Sequence, residues 1–84
     1  MSVYVDDAAI MWKGKLRFHM IADSLDELHE FASRVGIRPC WFHRSKSSPH
    51  YDITEPQKHA ALAAGAQAVT GRELVEIIRR TRTR

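Results

Sequence analysis

Three short capping-box sequences divide this chain and set where its helices begin. In each, Ser or Thr is followed three residues later by Glu or Gln, and the pairs are Ser24 with Glu27, Thr54 with Gln57, and Thr70 with Glu73. In this pattern the two side chains cap backbone N–H groups in the first helical turn. Apolar residues recur at helical spacing after the first and third starts, and the second is followed by an alanine-rich stretch. The chain therefore has three predicted helices.

The segments between the helices are short runs of β-prone residues. Five runs are expected, at residues 3–5, 16–22, 40–42, 50–53 and 66–69, the last being either a link or a short final strand. Gly14 marks a turn within residues 8–15, which form a loop or a short hairpin. This order predicts an α+β fold, with a small mixed β-sheet of three to five short strands and about three helices packed mainly on one face.

The length of 84 residues leaves room for one domain. We expect a single α+β domain over residues 1–78 and a basic C-terminal tail over residues 79–84, which holds four arginines. Cys40 is the one cysteine, so no internal disulfide can form, and this favours a cytoplasmic protein. We expect Cys40 to pack as a small apolar group. No apolar run approaches the roughly 18 residues of a membrane-spanning helix, which argues against a membrane protein.

Positive charge is concentrated after residue 34. Residues 35–84 contain nine Lys or Arg and four Asp or Glu, whereas residues 1–34 contain four and six. A basic loop over residues 43–50 and the arginines at the end favour contact with nucleic acid or another polyanion, while arginines at a helix end also simply oppose the helix dipole. The predicted binding residues are Tyr51, Trp12, His43, Arg44, Lys46 and Lys58.

A second set of polar residues lies at the ends of the predicted strands. We predict catalytic roles for His50, Asp52, His19 and Asp6, because imidazoles and carboxylates supply acid–base groups and metal ligands. His19, His50 and Asp52 are the candidate metal ligands, a donor mixture that suits zinc, manganese or iron. Only one of Asp6 and Asp7 can face such a site, because neighbouring strand residues point to opposite faces. The alternative is structural, with histidines bonded to buried carbonyl groups and the aspartates in a turn.

Several of these residues occur in motifs that identify a family resemblance. Tyr4-Val5-Asp6-Asp7, His19 with Ala22-Asp23, Leu28-His29-x-Phe31-Ala32 and His50-Tyr51-Asp52-Ile53-Thr54 resemble a bacterial and phage family of small proteins catalogued as a domain of unknown function. The resemblance covers about residues 3–69. It implies a single domain and a bacterial or phage origin, and it assigns neither a chemistry nor a cofactor.

Three functions are therefore open at the level of sequence. The first is a small binding module for nucleic acid or another polyanion, which uses the basic loop. The second is a small metal-dependent or acid–base hydrolase that uses His50, Asp52, His19 and Asp6. The third is an accessory domain whose surface serves a protein partner or a homodimer.

Overall fold

Over the residues that the structure describes, the fold is built on a mixed six-stranded sheet with three helices. The computed structural model describes residues 2–7, 9–44 and 48–82, without the side chains of Trp12, Thr81 and Arg82. The strands are β1 (Val3–Val5), β2 (Ile10–Trp12), β3 (Lys15–Ala22), β4 (Phe42–His43), β5 (His50–Ile53) and β6 (Gln67–Ala68). The helices are α1 (Leu25–Arg34), α2 (Glu55–Ala63) and α3 (Gly71–Arg82). The predicted α+β class and three helices are confirmed, and the sheet has one strand more than the predicted range.

The strands follow the order β4-β5-β3-β1-β6, and β2 pairs with β3 beside this path. All pairings are antiparallel except β1 with β6, which is parallel. β2 and β3 form a hairpin whose two-residue turn has positive φ at Lys13 (49°) and Gly14 (77°). That combination is the requirement of a type I′ turn, whose twist matches the twist of the strands.

Alternate residues of the central strands face two different layers. The main core lies on the side of α1 and α2, and its buried sheet residues are Val3, Val5, Phe18, Met20, Tyr51 and Ile53. The intervening Tyr4 and Ile21 point the other way, where they pack against Leu74 and Ile77 of α3. Two helices therefore share one face, and the third covers part of the opposite face.

The helix starts follow the capping signals. Both bonds of the capping box form at Thr54 and Gln57 before α2, and both form at Thr70 and Glu73 before α3. Before α1, the Ser24 hydroxyl accepts the backbone N–H of Glu27. The predicted starts of all three helices are thereby confirmed.

The segment after α1 departs from the expected strand. Pro39–Trp41 forms one turn of 3₁₀ helix, because proline is favoured at the first position of a helical turn. Cys40 is consequently exposed instead of packed. The strand begins only at Phe42, and His43 belongs to β4 instead of the following loop. The alternatives for residues 66–69 resolve in favour of a strand, β6.

The C-terminal helix continues past the predicted domain boundary at residue 78 to Arg82. Among the described residues, no helix combines the length and apolar character needed to cross a membrane.

Candidate metal centre

A row of three polar residues crosses neighbouring strands on the face opposite the main core. His19 on β3 and Asp52 on β5 are direct cross-strand partners. Asp6 follows the last residue of β1, and its N–H donates to the carbonyl of His19 at 3.1 Å. His50 lies two residues before Asp52 and therefore shares its face. The register of three strands thus gathers residues that are up to 46 positions apart in the chain.

Asp6 is a buried carboxylate that fixes His19 in place. Its side chain is 2% exposed, and its Oδ1 accepts the backbone N–H of His19 at 2.9 Å. Its Oδ2 lies 2.8 Å from His19 Nδ1. Because a carboxylate can only accept, Nδ1 carries the proton of this bond, and the neutral ring has its lone pair on Nε2. The hydrogen bond to Asp6 raises the pKa of His19 above its usual value, assisted by the charges of Asp6 and Asp52 and opposed by burial.

His50 is oriented in the same sense by a different acceptor. Its Nδ1 donates to the carbonyl oxygen of Ser48 at 2.7 Å, which again leaves Nε2 as the atom with a lone pair in the neutral ring. Nε2 of His50 is 3.3 Å from Asp52 Oδ1, and Nε2 of His19 is 3.9 Å from the same oxygen. Two imidazoles therefore present the same ring nitrogen to one carboxylate oxygen.

These three atoms have the composition and spacing of a metal-ligand set. The ligand atoms of His19, His50 and Asp52 all lie within 4.8 Å of one another. Atoms bound at about 2.1 Å to one ion lie roughly 3.0–3.4 Å apart in octahedral or tetrahedral geometry, so a small contraction would close the set on an ion. Two histidines and one carboxylate leave coordination positions open for water or substrate. In metal-binding histidines the ring nitrogen that does not bind the metal usually donates a hydrogen bond to an acceptor, as Nδ1 does in both His19 and His50.

His43 completes the surroundings of Asp52. Its Nε2 is 2.8 Å from Asp52 Oδ2, so the two carboxylate oxygens face different histidines. The rings of His43 and His50 are stacked, with centroids 5.5 Å apart and planes 13° apart. His43 is 56% exposed, whereas His19 is 26% exposed. His43 is one of the predicted binding residues, and its pairing with His50 across β4 and β5 brings it to Asp52.

A cavity of about 230 Å³ opens beside the cluster. Its lining residues are Ile10, Arg17, His19, Trp41, His43, His50 and Asp52. Arg17 is 8% exposed, and its guanidinium carbon lies 4.2 Å from the centre of the Trp41 ring. Arg17 and Trp41 were not among the predicted binding or catalytic residues, although an aromatic ring beside a cation is a pattern that can contact nucleic acid. The signal for the position of Arg17 was the period of two on β3, which places Arg17 on the same face as His19.

The remaining carboxylates near β1 have structural partners. Asp7 is exposed, and its Oδ1 accepts the backbone N–H of Gly71 at 3.1 Å. Asp23 accepts the backbone N–H of Ser2 and the hydroxyl of Tyr4. Asp6 is therefore the member of the Asp6-Asp7 pair that faces His19.

The other predicted binding residues that the structure describes do not line the cavity. Tyr51 is buried on the core face, and its hydroxyl is hydrogen-bonded to His29 Nδ1 at 2.8 Å. The ammonium of Lys58 lies 4.2 Å from the centre of the Phe18 ring. Arg44 is exposed after β4. Lys46 and the side chain of Trp12 lie outside the described residues. Contact with nucleic acid or another polyanion, a homodimer and a cytoplasmic location stay predictions.

Comparison with protein families gives one result. The chain belongs to the family described as "Protein of unknown function (DUF4031)", whose model matches residues 3–81. The predicted resemblance to a domain of unknown function is confirmed, and the match extends beyond residue 69 into the basic C-terminal helix. Comparisons with curated proteins and with solved structures find no match.

Proposed function

We propose that this member of a family without assigned function binds one divalent transition-metal ion and is a metal-dependent hydrolase. The ligands are His19 Nε2, His50 Nε2 and Asp52 Oδ1. One observation supports the proposal above all others. Both imidazoles have Nδ1 held by an acceptor while Nε2 faces the same carboxylate oxygen.

The electrostatics of this arrangement call for a cation between the rings and the carboxylate. An unprotonated Nε2 and a carboxylate oxygen are both acceptors and repel each other at short distance. A proton on each imidazole removes the repulsion, and so does a metal ion bound to all three atoms. A metal ion adds two positive charges to a site that holds the carboxylates of Asp52 and, behind His19, Asp6. The site can therefore exchange protons for metal as the pH rises.

The ligand types select among ions. Imidazole nitrogens suit zinc, iron, copper and nickel, whereas magnesium and calcium prefer sites made of oxygen atoms. Carboxylate oxygens also suit manganese, and two imidazoles with one carboxylate and open positions are typical of iron(II) sites, so this set favours zinc, iron or manganese. Cobalt(II) is a useful probe, because its absorption spectrum reports the number and type of its ligands.

The proposed chemistry is attack by metal-activated water. A bound divalent ion lowers the pKa of its water to near neutrality, which provides hydroxide as a nucleophile. The water, having released one proton to solvent, would form a bond to the electrophilic atom of the substrate as the bond to the leaving oxygen breaks. The leaving oxygen must gain a proton. His43 Nε2, at Asp52 Oδ2 beside the cavity, is placed to deliver it.

The decisive experiment measures metal affinity in ligand variants and a matched control. Protein stripped with a chelator is titrated with Zn²⁺, Mn²⁺ and Co²⁺ by calorimetry. Wild type should bind one ion. His19→Gln, His50→Gln and Asp52→Asn should each weaken binding by about 100-fold or more, because changes behind the ligands alone cost about 10- to 100-fold. His59→Gln removes an exposed histidine of α2 and should bind as wild type does.

A loss of metal binding can be distinguished from a loss of folding. Circular dichroism and thermal unfolding of the metal-free variants show whether each one keeps the fold. Folded ligand variants that bind metal as tightly as the His59→Gln control would refute the proposal.

A further inference from the structure

We propose that the cavity beside the metal centre binds a small phosphate monoester with an apolar or aromatic alcohol group. This inference rests on the proposed metal centre and assigns its substrate class. The metal ion and Arg17 hold the phosphate, and Trp41 and Ile10 contact the alcohol group. Three properties of the molecule support it: the position of Arg17, the charge of the cavity and the chemistry of its walls.

Arg17 lies within reach of any ligand at the metal. Arg17 and His19 are two residues apart on the same face of β3, so their Cα atoms are about 6.6 Å apart. Both side chains line the same cavity of about 230 Å³. The guanidinium packs on the Trp41 ring at 4.2 Å, and the side chain is 8% exposed. Packing on both the ring and the sheet restricts the rotamers of Arg17, which lowers the entropy lost when it binds an anion.

The charges around the cavity favour an anionic ligand. Among the described residues that line the cavity, Asp52 is the one carboxylate, and Arg17 carries a permanent positive charge. With a divalent ion bound, the ion, Arg17 and Asp52 sum to +2. Asp6 does not line the cavity but lies behind His19, and including its negative charge reduces that sum to +1. A neutral ligand would leave this positive charge uncompensated in a partly enclosed space.

Phosphate suits this pair of cations better than carboxylate does. The three terminal oxygens of a phosphate monoester allow one to bind the metal while two face a guanidinium in the bidentate manner. A carboxylate has two oxygens and cannot satisfy both partners in that way. The phosphorus atom then lies next to the metal-bound water that the proposed hydrolysis uses.

The other walls of the cavity specify the rest of the ligand. Trp41 is half-buried, and Ile10 is 51% exposed at the β2 edge. The cavity volume is below the roughly 300 Å³ at which drug-sized pockets begin. These features fit a compact apolar or aromatic group. Hydrolysis would form a bond from the water oxygen to phosphorus and break the bond to the alcohol oxygen, which takes up one proton, giving phosphate and the neutral alcohol.

The test uses zinc-loaded protein, with phenyl phosphate as the probe and inorganic phosphate, benzoate and phenol for comparison. Metal affinity is first measured without these probes, which tests the proposed metal centre separately. Phenyl phosphate should bind more tightly than benzoate or phenol. Arg17→Gln should weaken the binding of phenyl phosphate by roughly 10- to 100-fold, the usual effect of losing a charged hydrogen-bond donor. Lys15→Gln removes the same charge from an exposed position on β3 and should bind as wild type does.

A second variant keeps the test informative if Arg17→Gln fails to fold. Ile10→Ser changes an exposed side chain. It should weaken the binding of phenyl phosphate by roughly threefold and leave the affinity for inorganic phosphate unchanged, because only the alcohol group contacts this wall. Metal binding with equal affinity for phenyl phosphate and benzoate would overturn the assignment of phosphate. Metal binding with no effect of either variant would overturn the assignment of the cavity. Failure to bind metal would overturn the proposed function and, with it, this inference.

Discussion

Replacement of Asp6 by asparagine tests whether a buried carboxylate controls the metal affinity of His19. The backbone N–H of His19 can only donate, so it fixes the amide oxygen of the new side chain in the place of Asp6 Oδ1. The amide NH₂ group then faces His19 Nδ1, which must become an acceptor. The neutral imidazole consequently carries its proton on Nε2, the atom that would bind the metal. The shape of the site is kept while the tautomer is reversed.

The expected loss follows from the loss of this orienting bond. Such changes weaken metal binding about 10- to 100-fold, which corresponds to about 1.4–2.7 kcal/mol. In a domain of this size 1 kcal/mol shifts the melting temperature by about 4–8 °C, so the metal-induced rise in melting temperature should shrink by roughly 6–20 °C. Calorimetric titration gives the affinity, and thermal unfolding with and without metal gives the shift.

Asp7→Asn is the matched control for this experiment. It removes the same charge from the neighbouring residue, and its amide oxygen can still accept the N–H of Gly71. Asp7→Asn should therefore bind metal as wild type does. Equal metal affinities for Asp6→Asn and Asp7→Asn, both folded, would refute the reasoning that Asp6 sets the protonation of His19.

Three further predictions concern stability, measured by urea unfolding of the metal-free protein. The pKa of His19 in the folded state is raised above 6.5. The stabilisation that His19 adds to the free energy of unfolding is therefore complete below pH 6.5 and is lost as the pH rises through the folded-state pKa. His19→Gln should lack this decline. Gly36 has φ of +83° with open space where a Cβ would lie, so Gly36→Ala should cost about 1 kcal/mol from backbone strain alone. Met20 is fully buried and Met11 is 63% exposed. Met20→Ala should therefore lower the free energy of unfolding by about 2–5 kcal/mol, and Met11→Ala by less than about 0.5 kcal/mol. Similar losses for both would contradict the assignment of the core.

The helices were the most predictable part of the fold because their signals are local. Each start depends on residues within one helical turn, and the end of α1 depends on one glycine. Gly36 takes positive φ, and the N–H of Ile37 bonds to the carbonyl of Ala32, as expected for a glycine-terminated helix. The position of α3 on the sheet was harder to predict from sequence, because the face that α3 covers depends on the side to which the chain crosses after β6.

The segment around Trp41 shows how a local preference can be overridden. Cys40, Trp41 and Phe42 have the bulk typical of a strand, but Pro39 fixes φ and begins a 3₁₀ turn in their place. The strand is delayed by two residues, which puts His43 in register with His50. The involvement of His43 with Asp52 follows from this delay, and no short-range pattern in the sequence indicates it.

The candidate site was partly visible in the sequence. The spacing of His50 and Asp52 put them on one face of one strand, and period-two alternation allowed Asp6 or Asp7, but not both, to face them. The contact of His19 with Asp52 required the register of β3 against β5, which depends on tertiary packing. Arg17 and Trp41 were missed as a pair for the same reason, since their contact joins a strand to the distant 3₁₀ turn.

The parallel pairing of β6 with β1 has a consequence for the order of assembly on the ribosome. Tyr4 and Val5 pair with Gln67 and Ala68, so one side of β1 remains open until the last quarter of the chain has been synthesised. The antiparallel pairs of β3 with β2 and β5 need only earlier residues. Asp6 extends from β1 and needs only His19 of β3 as its partner, but the proposed ligands His50 and Asp52 lie on the later strand β5, and the second edge of β1 is closed later still. We expect metal to be acquired by the nearly finished domain instead of serving as a nucleus for its folding.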